Sequence, residues 1–181
     1  MIVKTFGSCV YGVNAITITV EVSVEAGVNF FLVGLPDSAV KESQQRIDSA
    51  LSYYGYRIPG KRVIVNMAPA DLRKEGSAYD LTIATGILAA SGKINADMLS
   101  KYIIMGELSL DGELKPIRGA LPITVEAKAR GFEGIVLPQA NAMEAAMVDG
   151  IRVYGARTIK EVIDFFNGSP LEVSNVRAKD I

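Results

Sequence analysis

The stretch NAITITVEVSVEAG, residues 14–27, constrains the fold more than any other part of the chain. Ile16, Ile18, Val20, Val22 and Val24 alternate strictly with Thr17, Thr19, Glu21 and Ser23. Successive side chains of an extended chain point to opposite faces, so this pattern predicts a half-buried strand. NFFLVGLP follows as a second strand, and the short Glu25-Ala26-Gly27 turn between the two suggests a hairpin. Pro36 and Asp37 then open a helix carrying Val40, Ile47, Leu51 and Tyr54 on one face and Lys41, Glu42, Gln44, Gln45, Arg46 and Asp48 on the other.

KRVIVNMAP reads as a short β-branched strand, and AYDLTIATGILAASG as a largely buried helix ending at Gly92. In KYIIMGELSLDGELKPI two strand-like runs flank Asp111-Gly112, a strong hairpin signal. Helix from Gly119 to Arg130, strand EGIVLP, helix QANAMEAAMV, strand IRVYG and helix TIKEVIDFFNG complete the pattern, with Gly168 as the last stop. The second half alternates strand and helix as α/β units do, and the first half reads as a strand meander with one helix. Residues 169–181 show no periodicity and read as a tail or linker.

The 181 residues fit one domain, and 49% hydrophobic with 22% charged residues is ordinary for a globular one. A net charge of −1 gives no global field toward nucleic acid or an anionic membrane, so such a partner must be met by a local patch. The chain contains no histidine, which removes Ser-His-Asp and Cys-His nucleophile systems and histidine metal sites. A hydrolase built on this sequence would need a lysine or carboxylate base. The single cysteine, Cys9, excludes an internal disulfide and reads as a small hydrophobe in a reducing compartment. No signal peptide or membrane-spanning run is read, so a cytoplasmic domain is expected.

Neither G-x-x-x-x-G-K-[ST] nor G-x-G-x-x-G occurs, so no nucleotide site of either kind is expected in this chain. Asp71, Glu75 and Asp80 form the closest carboxylate grouping, and Asp80 is read as complementing the dipole of its helix rather than as a metal ligand. Ser77 is read as a helix N-cap, the alternative being a nucleophile with a lysine base. Arg57, Lys61, Arg62, Arg73 and Lys74 flank the VIVNMAP strand, with Tyr53, Tyr54 and Tyr56 just before it. Basic residues beside aromatics are candidate contacts to single-stranded nucleic acid, against the plainer reading of a solvated rim.

VGLPDSAVKESQQRIDSAL, NMAPADLRKEGSAYDLTIATGILAASG and the run from MGELSLDGELKPIRG to EVIDFF together resemble the N-terminal domain of the ComM/YifB family of magnesium-chelatase-like AAA+ ATPases. The resemblance runs from about Lys4 to Phe166. It implies an α/β (α+β) two-layer sandwich similar to the proteolytic domain of Lon, the C-terminal domain of RadA/Sms and the second domain of ribosomal protein S-five. Lon-like peptidases carry their serine two residues after the loop glycine, here Gly76, so the matching position is Ala78. Counted from Pro116-Ile117, the position of their lysine is Leu121.

The resemblance therefore implies a non-catalytic accessory domain over residues 1–168, with 169–181 leading toward a AAA+ module absent from this sequence. No cofactor is expected in this chain; ATP and magnesium are expected for the parent protein. The implied partners are the AAA+ module, further copies in a hexameric ring, and single-stranded or branched DNA during natural transformation, with no membrane. A Ser-Lys peptidase with displaced residues and a purely structural assembly domain are the alternatives.

Overall fold

The computed structural model describes residues 1–56, 61–70, 74 and 76–171, Lys61 by its backbone alone. Strands β1 (Ile2–Tyr11), β2 (Asn14–Ala26), β3 (Phe30–Val33), β4 (Lys61–Ala68), β5 (Tyr102–Ile104), β8 (Gly134–Pro138) and β9 (Arg152–Ala156) form a seven-stranded sheet in the order β3-β4-β2-β1-β5-β8-β9. The pairs β1/β2 and β2/β4 are antiparallel, while β3/β4, β1/β5, β5/β8 and β8/β9 are parallel. Two short strands, β6 (Glu107–Leu108) and β7 (Leu114–Lys115), form a separate antiparallel hairpin. The helices are α1 (Asp37–Tyr53), α2 (Asp80–Ala90), α3 (Ala120–Ala129), α4 (Gln139–Ala145) and α5 (Ile159–Phe166). This is a mixed α/β sandwich with a mostly parallel central sheet, the fold class expected from the sequence.

The alternation in β2 places Ile18, Val20, Val22 and Val24 in the core. Strand β1 lies beside it at the sheet's centre, joined by a tight turn in which Tyr11 pairs with Asn14 and Gly12 takes φ +64. Sequence reading did not mark β1 as a strand, so the first half is not the simple meander expected. The expected hairpin between β2 and β3 is absent too. β3 instead pairs in parallel with β4, Phe31 opposite Ile64, and α1 makes the crossover between them. Parallel neighbours require such a crossover, which the 17-residue α1 supplies.

Helix α2 is the core of the domain: all 11 of its residues are buried. Its apolar surface packs on β1 and β2, and the hydroxyl of its buried Thr85 donates to the Leu81 carbonyl one turn back at 3.0 Å. Thr5 Oγ1 donates to the Thr82 carbonyl at 3.0 Å, and the Thr82 hydroxyl donates to the Ile104 carbonyl. Gly86 permits the close approach: a Cβ there would sit 2.6 Å from Val22 Cγ2. In the second half, α4 packs on β8 and β9, and α5 packs on β9. Helix α5 is capped at its start by Thr158, whose Oγ1 accepts from the Glu161 N–H at 3.3 Å. No helix among the described residues is long and apolar enough to cross a membrane.

Candidate functional site

The turn before α2 is fixed by contacts from three directions. Gly76–Tyr79 form one turn of 3-10 helix, and a Cβ on Gly76 would lie 3.1 Å from Ala39 Cβ of α1. The Gly106 N–H donates to the Ala78 carbonyl at 2.9 Å, and the Leu81 N–H returns to the Gly106 carbonyl at 3.0 Å. Tyr79 Oη donates to the Ser8 carbonyl at 3.0 Å, and the Ser8 N–H reaches Met105 Sδ at 3.3 Å. Ser77 thus lies inside the 3-10 turn. The cap of α2 is Tyr79, which makes no side-chain capping bond, so the expected N-cap role of Ser77 is corrected.

Asp80, the first residue of α2, is fully buried and gathers three partners. Arg46 approaches it in a forked pair, Nε to Oδ2 at 2.6 Å and Nη2 to Oδ1 at 3.1 Å. Ser43 Oγ donates to Oδ1 at 2.7 Å, and the Leu108 N–H donates to Oδ2 at 3.1 Å. Burial pushes the Asp80 carboxyl above its ordinary value, while Arg46, the Leu108 N–H and Ser43 pull it down. The hydrogen bond to Asp80 raises Arg46 in turn. The carboxylate meets the helix start as expected, and its coordination by Arg46, Ser43 and Leu108 gives it a structural task. Sequence reading had placed Arg46 on the polar face of α1; only the i, i+3 spacing of Ser43 and Arg46 hinted at a shared target.

The second position of interest lies at the start of α3, where Gly119 turns the chain with φ +77. A Cβ at Gly119 would meet Val10 Cγ2 at 2.4 Å, so this turn is pressed against β1. Just before it, Ile117 is held by Asn141 of α4, whose Oδ1 accepts from the Ile117 N–H and whose Nδ2 donates to the Ile117 carbonyl, both at 2.9 Å. Leu121 follows, 40% exposed. Ala78 and Leu121 line different depressions. Ala78 shares a cavity of about 410 Å³ with Ser8, Cys9, Lys74, Met105 and Arg118. Leu121 lines a separate apolar depression with Val13, Ala15, Pro122 and Val125.

Among the basic residues singled out from sequence, Arg57, Arg73 and the Lys61 side chain lie outside the described residues, as do Asp71 and Glu75. Arg62 on β4 is exposed, with its guanidinium carbon 5.5 Å from the ring centre of Phe31. Lys74 is different: it is only 7% exposed, and Nζ donates to the Gly34 carbonyl at 3.2 Å. The expected solvated patch does not include Lys74, whose flanking charges in the sequence disguised a residue of the cavity wall.

A buried helix entered through the 3-10 turn Gly76–Tyr79, on a mixed and mostly parallel sheet, defines a two-layer α/β domain. The family described as subunit ChlI of Mg-chelatase matches residues 20–141. The competence protein ComM of Haemophilus influenzae is 44% identical over 158 residues, 87% of this chain and 31% of that protein. YifB of Escherichia coli is 40% identical over 158 residues, with the same shares of 87% and 31%. Lon protease 2 of Bacillus subtilis is 29% identical over 128 residues, 70% of this chain and 23% of the protease. The chain belongs to the Mg-chelatase subunit ChlI family, in its ComM/YifB branch. It spans about a third of the length of the ComM and YifB relatives.

Proposed function

We propose that this chain acts as a non-catalytic, Lon-like accessory domain of a Mg-chelatase-related AAA+ ATPase. Residues 1–168 form the domain and residues 169–181 lead toward the ATPase module, which supplies the ATP and magnesium chemistry. The observation that carries the reading is the pair Ala78 and Leu121. At the position matching the peptidase serine stands a methyl group, and at that of the lysine a leucine whose side chain lines a different depression. Neither offers a nucleophile or a base.

The name of the Haemophilus relative speaks of competence, and we extend that to this chain as handling of single-stranded or branched DNA within a cytoplasmic hexameric ring. Arg62 beside Phe31 supports the DNA reading, since a cation next to an exposed aromatic ring serves both phosphate contact and base stacking. Exposed Val13, Leu121 and Val125 around one depression favour a second reading, a purely structural assembly domain.

Fluorescence anisotropy with single-stranded and four-way-junction DNA at low salt tests the DNA reading. Wild-type chain should bind, and Arg62→Ala should lower the slope of log K against log salt by about one. Absence of binding at low salt, or an unchanged slope in the variant, would leave the assembly reading alone.

A further inference from the structure

The cavity beside Ala78 has the chemistry of a ligand site in its own right. The charged side chains among its described lining residues are Lys74 and Arg118, both cations. Val10, Ala78, Met105 and Ile123 supply apolar wall. A cavity of about 410 Å³ is in the range that encloses a small molecule, roughly 300–1,000 Å³. Arg118 is exposed and so open to an incoming ligand, and the planar fork of arginine matches a carboxylate or phosphate with two parallel bonds.

The walls are also fixed before any ligand arrives. Tyr79 is tied to Ser8, and Ser8 to Met105. Gly7 sits so close behind them that a Cβ would meet Met105 Sδ at 3.1 Å and the Tyr79 ring at 3.2 Å. Lys74 is anchored on the Gly34 carbonyl, and the backbone entering Arg118 is clamped through Ile117 by Asn141. A preformed site loses little freedom on binding.

We propose that this cavity binds a small oxyanion on a short apolar stem, a carboxylate or a phosphate ester, with Arg118 holding the anionic group and the Ala78, Met105 and Ile123 side chains receiving the stem. The site takes the ligand without reacting on it. The inference goes beyond the accessory-domain reading and is independent of DNA contact at Arg62.

The test is methyl NMR of the chain labelled at Ala and Met, titrated with 3-phenylpropionate, phenyl phosphate and the neutral 3-phenylpropionamide. The Ala78 and Met105 methyls should shift, while those of Met143 and Met147, exposed on and just after α4, should not. Loss of a charge-assisted bond makes the amide bind about tenfold more weakly than the acid, and Arg118→Gln should weaken acid binding by about the same factor with an unchanged melting temperature. Which anion binds tighter tells a carboxylate site from a phosphate site. Equal affinity for acid and amide, unchanged affinity in Arg118→Gln, or silent Ala78 and Met105 methyls at saturating probe would each overturn the proposal.

Discussion

Arg46 of α1 and Asp80 of α2 meet with Nε 2.6 Å from Oδ2, and the same carboxylate accepts the N–H of Leu108 in β6. One buried side chain thus joins two helices and the β6–β7 hairpin. Such a pair adds little over apolar packing, but removing one member leaves an uncompensated charge in the core, at a cost of about 3–5 kcal/mol. Asp80→Ala and Arg46→Met should each lose stability on that scale in urea denaturation. The double variant Arg46→Met/Asp80→Leu should lose clearly less than the sum. Additive losses would mean the two residues act separately.

The contact of α2 with β2 makes a second prediction. Alanine is the better helix former at Gly86 by about 1 kcal/mol. Yet its Cβ would lie 2.6 Å from Val22 Cγ2, and overpacking of a dense core costs about 1–3 kcal/mol. Gly86→Ala should therefore be neutral to destabilising, and adding Val22→Ala should recover part of any loss. A simple gain in stability from Gly86→Ala alone would show that the two layers can separate without cost.

Asn141 gives a third. Its amide is buried and satisfies both backbone groups of Ile117 at 2.9 Å. Asn141→Ala leaves those groups without their partner, which costs about 1–3 kcal/mol. Chemical denaturation should show that loss, and amide exchange at Ile117 should quicken more than the global change explains. Unchanged exchange at Ile117 would count against the clamp.

Much of this architecture was readable in the chain, for identifiable reasons. β2 alternates aliphatic and polar residues without interruption, and Asp111-Gly112 marks a turn whose glycine does adopt φ +85. β1 was missed because Val3, Thr5, Gly7, Ser8 and Cys9 fill its buried positions, so there is no alternation of aliphatic against polar. β3 was assigned the wrong neighbour because side-chain alternation reports the face of a strand and says nothing of its partner. That choice is made by α1, which carries the chain across to a parallel register with β4.

The candidate site was legible only where a motif crossed it. The resemblance to Lon-like peptidases marked Ala78 and Leu121, but their separation into two depressions depends on how α3 is set against β1. Ser8, Cys9 and Arg118 come from β1 and the loop after β7, with no shared motif. Lys74 looked like part of a basic run because burial of a lysine depends on a partner far away in sequence, here the Gly34 carbonyl.

The absence of peptidase chemistry is the central claim, and labelling by a fluorophosphonate serine probe tests it most directly. Intact protein mass after incubation, together with cleavage of an unfolded casein substrate, gives the readout. We predict no adduct at Ser77 and no cleavage above a heat-inactivated control. An adduct on Ser77 that disappears in a folded Ser77→Ala variant, accompanied by cleavage lost in the same variant, would contradict it.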